Sequence, residues 1–264
     1  MSKFKNIASV IASLLVLVAL LGLAESSRRD VKFTNLKVNI DTSEGNYFVD
    51  DLDIESQVFA HGYQTGIEPV LNIDKKQLED QFDKMPSVKK SEVYTTLNGV
   101  LYVDIKQRTP LVRVFANNQS FYIDKEGYVM PLSSKYTAKV PVANGVINIK
   151  YEDVAGMNFA TRNELTKEGK GAYKLFEAYT LCKKFKDVDF WNAQFKQIYF
   201  KYDGDIELVP SVGNHVILIN GVENLDESLT KLMILYKEGL SKTGWNNYEV
   251  INLKYKDQIV GIKR

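Results

Sequence analysis

Three fragments of the chain carry residue types that perform acyl transfer. Ser87-Val88-Lys89-Lys90 and Ser228-Leu229-Thr230-Lys231 both fit S-x-x-K, and Lys242-Thr243-Gly244 reads K-T-G. In penicillin-binding enzymes the serine of such a set attacks a carbonyl and the lysine one turn later sits within reach of its proton. The set also requires S-D-N, which the sequence lacks. Ser87 precedes an alternating apolar run, whereas the motif serine opens a helix. Ser228 falls inside a helical pattern, only about four turns before Lys242. Lys242-Thr243-Gly244 reads as a helix end instead: lysine complements the dipole and glycine adopts the left-handed conformation.

Metal chemistry lacks ligands. The histidines are His61 and His215, far apart in sequence, and the single cysteine, Cys182, falls on an apolar helical stripe. Asp50, Asp51 and Asp53 are carboxylates in the first turn of a helix, where they cap it and oppose its dipole. There is no glycine-rich phosphate loop. Lys183-Lys184-Phe185-Lys186 reads as a solvated helix end. The formal net charge is +1, without the basic excess of a nucleic-acid binder. The sequence therefore predicts no catalytic residue, no metal site and no cofactor. With one cysteine there is no intrachain disulfide, and a chain of 264 residues has core enough to fold without one.

Residues 7–24, IASVIASLLVLVALLGLA, contain no charge and no proline. As a helix they rise about 27 Å, close to the roughly 30 Å hydrocarbon core of a bilayer. Lys3 and Lys5 precede the run and place residues 1–6 in the cytoplasm. Arg28 and Arg29 follow it, flanked by Glu25 and Asp30. A cleaved signal peptide is the competing reading, since Gly22 and Ala24 supply small residues, but the run exceeds the usual core of such a peptide. The expectation is a single-pass inner-membrane protein with its bulk in the periplasm. Without Lys3 and Lys5 the remainder is slightly acidic, unsuited to lying on an anionic membrane.

Residues 25–34 read as a short polar linker. Leu36, Val38 and Ile40 alternate with polar residues, as in a half-buried strand. Asp50 to Glu55 opens a helix that stops near Gly62, and Asp74 caps a second one carrying Leu78, Phe82 and Met85, ended by Pro86. Val88–Thr96 and Val100–Arg108 flank Asn98-Gly99, a hairpin signal because both residues tolerate positive φ. This β-α-α-β-β order over 35–108 is that of a POTRA domain. Beyond Thr109-Pro110, short strands are predicted at 112–115, 120–123 and 128–130, with turns at Asn117-Asn118 and Glu126-Gly127. Pro141 and Asn144-Gly145 continue the rhythm. A helix spans Leu165 to Phe185, its apolar face being Leu165, Ala172, Leu175, Phe176, Tyr179, Cys182 and Phe185. Strands follow at 197–201, 206–209 and 215–219, then a helix from Leu225 to Leu240 and a terminal hairpin of Val250–Tyr255 and Gln258–Ile262. The predicted fold class is α+β: a transmembrane helix, a POTRA domain, then a mixed or antiparallel sheet domain with packed helices over 109–264.

Five fragments, in order, resemble one family. Met85-Pro86-Ser87-Val88 is similar to its junction between the second POTRA helix and the hairpin. Val103 to Pro110 (VDIKQRTP) resembles its h-x-h-x-E/Q-R-x-P exit into the sheet domain, and Phe121 to Gly127 (FYIDKEG) its Y-L/I-h-D-x-x-G hairpin. Val209 to Asn214 (VPSVGN) and Asn252 to Tyr255 (NLKY) resemble its later strand exit and closing strand. The family is the bacterial cell-division protein FtsQ/DivIB. Gln107 stands where glutamate is common, a lost charge with no structural consequence expected. The resemblance implies a non-catalytic division scaffold that binds FtsB-like and FtsL-like small coiled-coil membrane proteins and links them to septal peptidoglycan synthesis. It implies strand addition by the FtsB-like partner at the sheet edge near the C-terminus, which makes Val250, Asn252, Lys254, Tyr255, Gln258, Ile259, Val260 and Ile262 the candidate partner-binding residues. Lys254, Lys256, Asp257, Lys263 and Arg264 suit an edge kept soluble until its partner arrives. Two other classes are a cell-wall enzyme and a POTRA module in envelope assembly or secretion. The latter usually carries several POTRA repeats or a C-terminal barrel, for which this chain is too short.

Overall fold

The computed structural model describes residues 11–20, 31–160 and 165–264. Residues 11–20 form helix α1, exposed throughout. Among the described residues no helix is long and apolar enough to cross a membrane; of the expected span over 7–24, residues 7–10 and 21–24 lie outside them. The chain divides into two compact units, Met1–Gln107 and Arg108–Arg264.

The first unit runs β1 (Asn35–Asp41), α2 (Asp51–Ala60), α3 (Lys75–Phe82), β2 (Val88–Thr95) and β3 (Val100–Gln107), with a 3-10 turn at Val70–Asn72. The sheet order is β1-β3-β2, with β1 parallel and β2 antiparallel to β3. Ile54, Val58, Leu78 and Phe82 come from the helices and Leu101, Val103 and Ile105 from β3; all are buried. Helix α2 opens with a reciprocal cap: Asp50 Oδ1 accepts from Asp53 N, and Asp53 Oδ2 accepts from Asp50 N. Asp74 Oδ1 accepts from Gln77 N at the head of α3. Helix α3 is also tied to β2, since Ser91 N donates to Asp83 Oδ1 and Val93 N to Glu79 Oε1.

Three expectations are corrected here. Residues 31–34 do not belong to a linker: Phe33 is fully buried, its N–H donates to Glu68 O, and Thr34 N donates to Gly99 O. The 96–99 loop does not place both Asn98 and Gly99 at positive φ; only Gly99 adopts it, at 83°, and Gly99 N donates to Thr96 O. A Cβ on Gly99 would lie 2.0 Å from Lys32 O, so the returning chain also demands glycine there. Gln107 is not a neutral exchange. Its Oε1 accepts from Phe48 N and Val49 N, while Nε2 donates to Asp41 O and Asn46 O. A carboxylate has no hydrogen for those two carbonyls.

The second unit is one nine-stranded sheet, ordered β12-β11-β10-β9-β8-β7-β4-β5-β6. Its strands are β4 (Pro110–Ala116), β5 (Gln119–Asp124), β6 (Val129–Met130), β7 (Val142–Gly145), β8 (Phe195–Phe200), β9 (Ile206–Pro210), β10 (Val216–Ile219), β11 (Tyr248–Asn252) and β12 (Val260–Lys263). Pairs β4–β7, β7–β8 and β10–β11 are parallel. The chain between parallel neighbours carries the helices: α4 (Tyr151–Val154), α5 (Leu165–Lys186) and α6 (Asp189–Gln194) after β7, and α7 (Leu225–Ile234), a π-helical stretch (Leu235–Leu240) and α8 (Ser241–Thr243) after β10. Asn117 and Asn118 both take positive φ, at 47° and 61°, in the tight β4–β5 turn.

One sheet face is dry. Val112, Val114, Ile123, Ala143, Ile198, Leu208, Ile217 and Ile251 pack in one core with Ala172, Leu175, Ala178, Cys182 and Phe185 of α5 and with Leu225, Leu229 and Leu232 of α7. The expected α5 face therefore reappears, although Leu165's side chain lies outside the described residues and Gly169, at φ 74°, breaks the helix. Helix α6 is the addition: six residues are too few turns to show a helical period. The expected helix over Leu225–Leu240 is present, with its second half, Leu235–Leu240, wound as π-helix and Tyr236 and Leu240 buried.

Candidate interaction edge

The candidate residues cluster at one end of the large sheet. Strand β11 lies between β10 and β12, and β12 is an edge strand. Ile251 and Leu253 are buried and anchor β11 to the core. Leu253 N donates to Leu218 O at 2.9 Å, so the backbone groups of Ile251 and Leu253 face β10. Strand backbones alternate, so those of Val250 and Asn252 face β12. Val250 lies opposite Ile262 and Asn252 opposite Val260. Val260 and Ile262 therefore spend their N–H and C=O groups inward, while those of Gly261 and Lys263 point outward along the edge.

Four of the eight predicted residues, Val250, Asn252, Val260 and Ile262, thus form two facing pairs on one side of the sheet. Val260 and Ile262 leave 38% and 52% of their surface exposed, an apolar strip on the face opposite the helices. The other four are not in strands. The predicted strands were too long: β11 ends at Asn252 and β12 begins at Val260, so Lys254, Tyr255, Gln258 and Ile259 lie in the connection. Ile259 packs on the core, whereas the Tyr255 side chain is half exposed.

The connection is fastened by residues that sequence reasoning assigned otherwise. Lys231 Nζ donates to Tyr255 O (2.7 Å) and Lys256 O (2.8 Å), and lies 3.3 Å from Glu227 Oε1. Lys254 is not held for a partner: its ammonium meets Asp205 Oδ2 at 2.7 Å, and that hydrogen bond raises its pKa. Arg264 Nη2 donates to Asn214 O. The ring of Tyr248 lies where a side chain on Gly261 would go, since a Cβ there would be 2.6 Å from the ring. Gly261 was overlooked; a glycine among alternating apolar residues is the available signal of close approach.

The acyl-transfer fragments fall apart in space and use. Ser87 immediately precedes β2, Ser228 sits in the first half of α7, and Lys231 is committed to two carbonyls and a carboxylate. Lys242 pairs with Glu238 at 2.8 Å. The Cys182 thiol is fully desolvated, which pushes its pKa upward, away from a reactive thiolate. His61 Nδ1 is 2.8 Å from Gln57 O, and His215 is buried between Trp245 O and the Tyr236 hydroxyl. Burial lowers the His215 pKa. Among the described residues no group of acidic, histidine or cysteine side chains is placed to hold a metal ion.

The fragments shared with a known family instead build structure. Arg108 Nη1 lies 2.9 Å from Asp124 Oδ2, and its guanidinium stands over the Tyr128 ring, 4.4 Å from the centroid. Asp124 Oδ1 accepts from Glu126 N and Tyr128 N, closing the β5–β6 turn. Burial pushes the Asp124 pKa up, against the pull of Arg108. Comparison with protein families matches residues 109–262 to FtsQ/DivIB, C-terminal related, and residues 32–106 to the POTRA-like domain. The chain belongs to the FtsQ/DivIB family. No curated protein is significantly similar to it. FtsQ/DivIB and POTRA-like families are generally non-catalytic scaffolds, and membership gives this chain a role in cell division of that kind.

Proposed function

We propose that this FtsQ/DivIB member is a single-pass inner-membrane scaffold that receives a strand from an FtsB-like partner along β12. Residues 7–24 anchor it, residues 1–6 remain in the cytoplasm, and the POTRA domain and the sheet domain from 109 to 264 stand in the periplasm. An FtsL-like protein joins through the same complex, which connects it to septal peptidoglycan synthesis. The observation that carries this reading is the outward-facing backbone of Gly261 and Lys263 at the end of the nine-stranded sheet. Unpaired N–H and C=O groups on an edge recruit an extended segment by β-augmentation. The half-exposed Val260 and Ile262, with Val250 beside them, offer apolar surface to the partner's alternate side chains.

The test is co-capture of a co-expressed FtsB-like partner by the full chain in membranes. Lys263→Pro removes one outward N–H without touching an inward one. Capture is expected to fall at least tenfold while the melting temperature stays at the parent value. Undiminished capture by Lys263→Pro, with partner strands pairing elsewhere, would overturn the assignment of the edge.

A further inference from the structure

A cavity of about 680 Å³ opens in the sheet domain at the ends of β7, β8 and β10. It is lined by Val146 and Asn148 after β7, Tyr202 after β8, and Asn220 and Gly221 after β10, with α5 as its roof. Strands β7 and β8 are parallel. Strand β10 also runs with β8, because β9 is antiparallel to both. The cavity therefore sits at the carboxyl ends of three co-directional strands, where open α/β sheets place ligand crevices.

Glu177 of α5 lines this cavity although only 6% of its surface is exposed. Among the described residues it has no hydrogen bond and no ion pair. A Cβ at position 221 would stand 3.1 Å from Glu177 Oε1, so Gly221, at φ 75°, leaves the space the carboxylate uses. Lys174, one turn before Glu177, acts on it through charge alone and makes no ion pair with it. Its ammonium donates to Val146 O and lies over the Phe200 ring, 5.9 Å from the centroid. The other charged groups facing the cavity are Lys170 on α5, Asp203 on the β8–β9 hairpin and Glu223 before α7. Tyr173 and the almost wholly exposed Tyr202 complete the wall.

We propose that this cavity binds a guanidinium or ammonium group carried on an aliphatic stem, with Glu177 as its counter-ion and Tyr173 and Tyr202 lining its path. A buried carboxylate without a donor is costly, and a cation that also donates hydrogen bonds removes that cost. The volume suits an organic ligand, not a bare ion, and among the described residues no acidic, histidine or cysteine side chains are grouped to hold a metal ion. Tyrosine rings favour a cation at their faces. Arginine and lysine side chains are the natural bearers of such a group. Burial, the leading cause, raises the Glu177 pKa to about 7, with Glu223 adding and Lys174 opposing. The site therefore takes its charge only near neutral pH.

Equilibrium dialysis of the full chain against Nα-acetyl-arginine methylamide and against agmatine tests this. One saturable site is expected at pH 8, about tenfold weaker at pH 6, the ratio of ionised fractions for a group titrating near 7. A preference for the capped amino acid identifies a polypeptide side chain as the source, and a preference for agmatine a free amine. Glu177→Gln should weaken binding at least tenfold and leave melting unchanged or raised, while Glu238→Gln, on the exposed pair with Lys242, should bind like the parent. Binding that survives Glu177→Gln, no saturable binding at pH 8, or equal uptake of Nα-acetyl-glutamate methylamide would each overturn the proposal. None of these outcomes depends on a strand at β12.

Discussion

Arg108, two residues before β4, and Asp124, the last residue of β5, form a 2.9 Å ion pair whose carboxylate is wholly buried. Removing one partner of a buried pair strands the other's charge and typically costs 3–5 kcal/mol, on the order of the pair's desolvation. Asp124→Ala is expected to lose about 4 kcal/mol in urea unfolding, since Glu126 N and Tyr128 N also lose their acceptor. The double change with Arg108→Ala should cost clearly less than the two singles together. Additive losses would mean that the two side chains act separately.

Gln107→Glu restores the residue common in the family and should still destabilise this chain. Two donors to Asp41 O and Asn46 O disappear, and a carboxylate is buried among carbonyls. The expected cost is about 2 kcal/mol by thermal or urea melting at pH 7. It should shrink toward pH 4, because the introduced carboxyl, its folded pKa raised by burial, regains a hydrogen as pH falls.

The backbone direction of β12 predicts opposite results at two positions. Val260→Pro deletes an inward N–H to β11 and should lower stability by about 1–3 kcal/mol. Lys263→Pro deletes an outward one and should stay within about 0.5 kcal/mol of the parent in the same urea titration. Reversed values would mean that the strand is rotated by one residue.

Glu177 makes stability depend on pH in a stated direction. Its folded pKa, about 7, lies above the unfolded value near 4.5. Its contribution is thus fully present below pH 4.5 and is lost as pH rises toward 7. Glu177→Gln should therefore stabilise the chain at pH 8 by up to about 3 kcal/mol and have little effect at pH 4.5. A constant difference across that window, in melts at matched ionic strength, would contradict the raised pKa.

The anchor proposed for residues 7–24 predicts that the chain stays with membranes after carbonate washing and that a C-terminal tag is accessible from the periplasm. A soluble mature form beginning near Glu25 would instead indicate cleavage.

Period and punctuation in the sequence were enough to order most of the elements. Leu36, Val38 and Ile40 alternate, Asp50 and Asp74 are helix caps, and Asn117-Asn118 and Asp203-Gly204 are turns, as local chemistry dictates. What failed depended on distant partners. Phe33 lies among polar residues, and only the loop around Glu68 explains why it is buried. Gln107 reads as a family substitution until four backbone groups from residues 41–49 appear around its carboxamide. Strand ends at the terminal hairpin were overrun because Lys254 and Tyr255 continue the alternation, although Lys231 and Asp205 hold them in a loop. The resemblance pointed to an edge near the C-terminus, and β12 lies at one end of the sheet. The direction of its free hydrogen bonds required the Leu253–Leu218 contact.

Strand β7 has four residues, yet both of its pairings are parallel, to β4 on one side and β8 on the other. Without it the sheet falls into a three-stranded and a five-stranded piece, each able to close its own hairpins. Gly145 at its end is clamped so closely that a Cβ would lie 2.3 Å from Phe200 O. Cooperativity of the whole domain therefore passes through Val142–Gly145. Their amide hydrogens should exchange only in the global opening, and a lesion there should turn one unfolding transition into two.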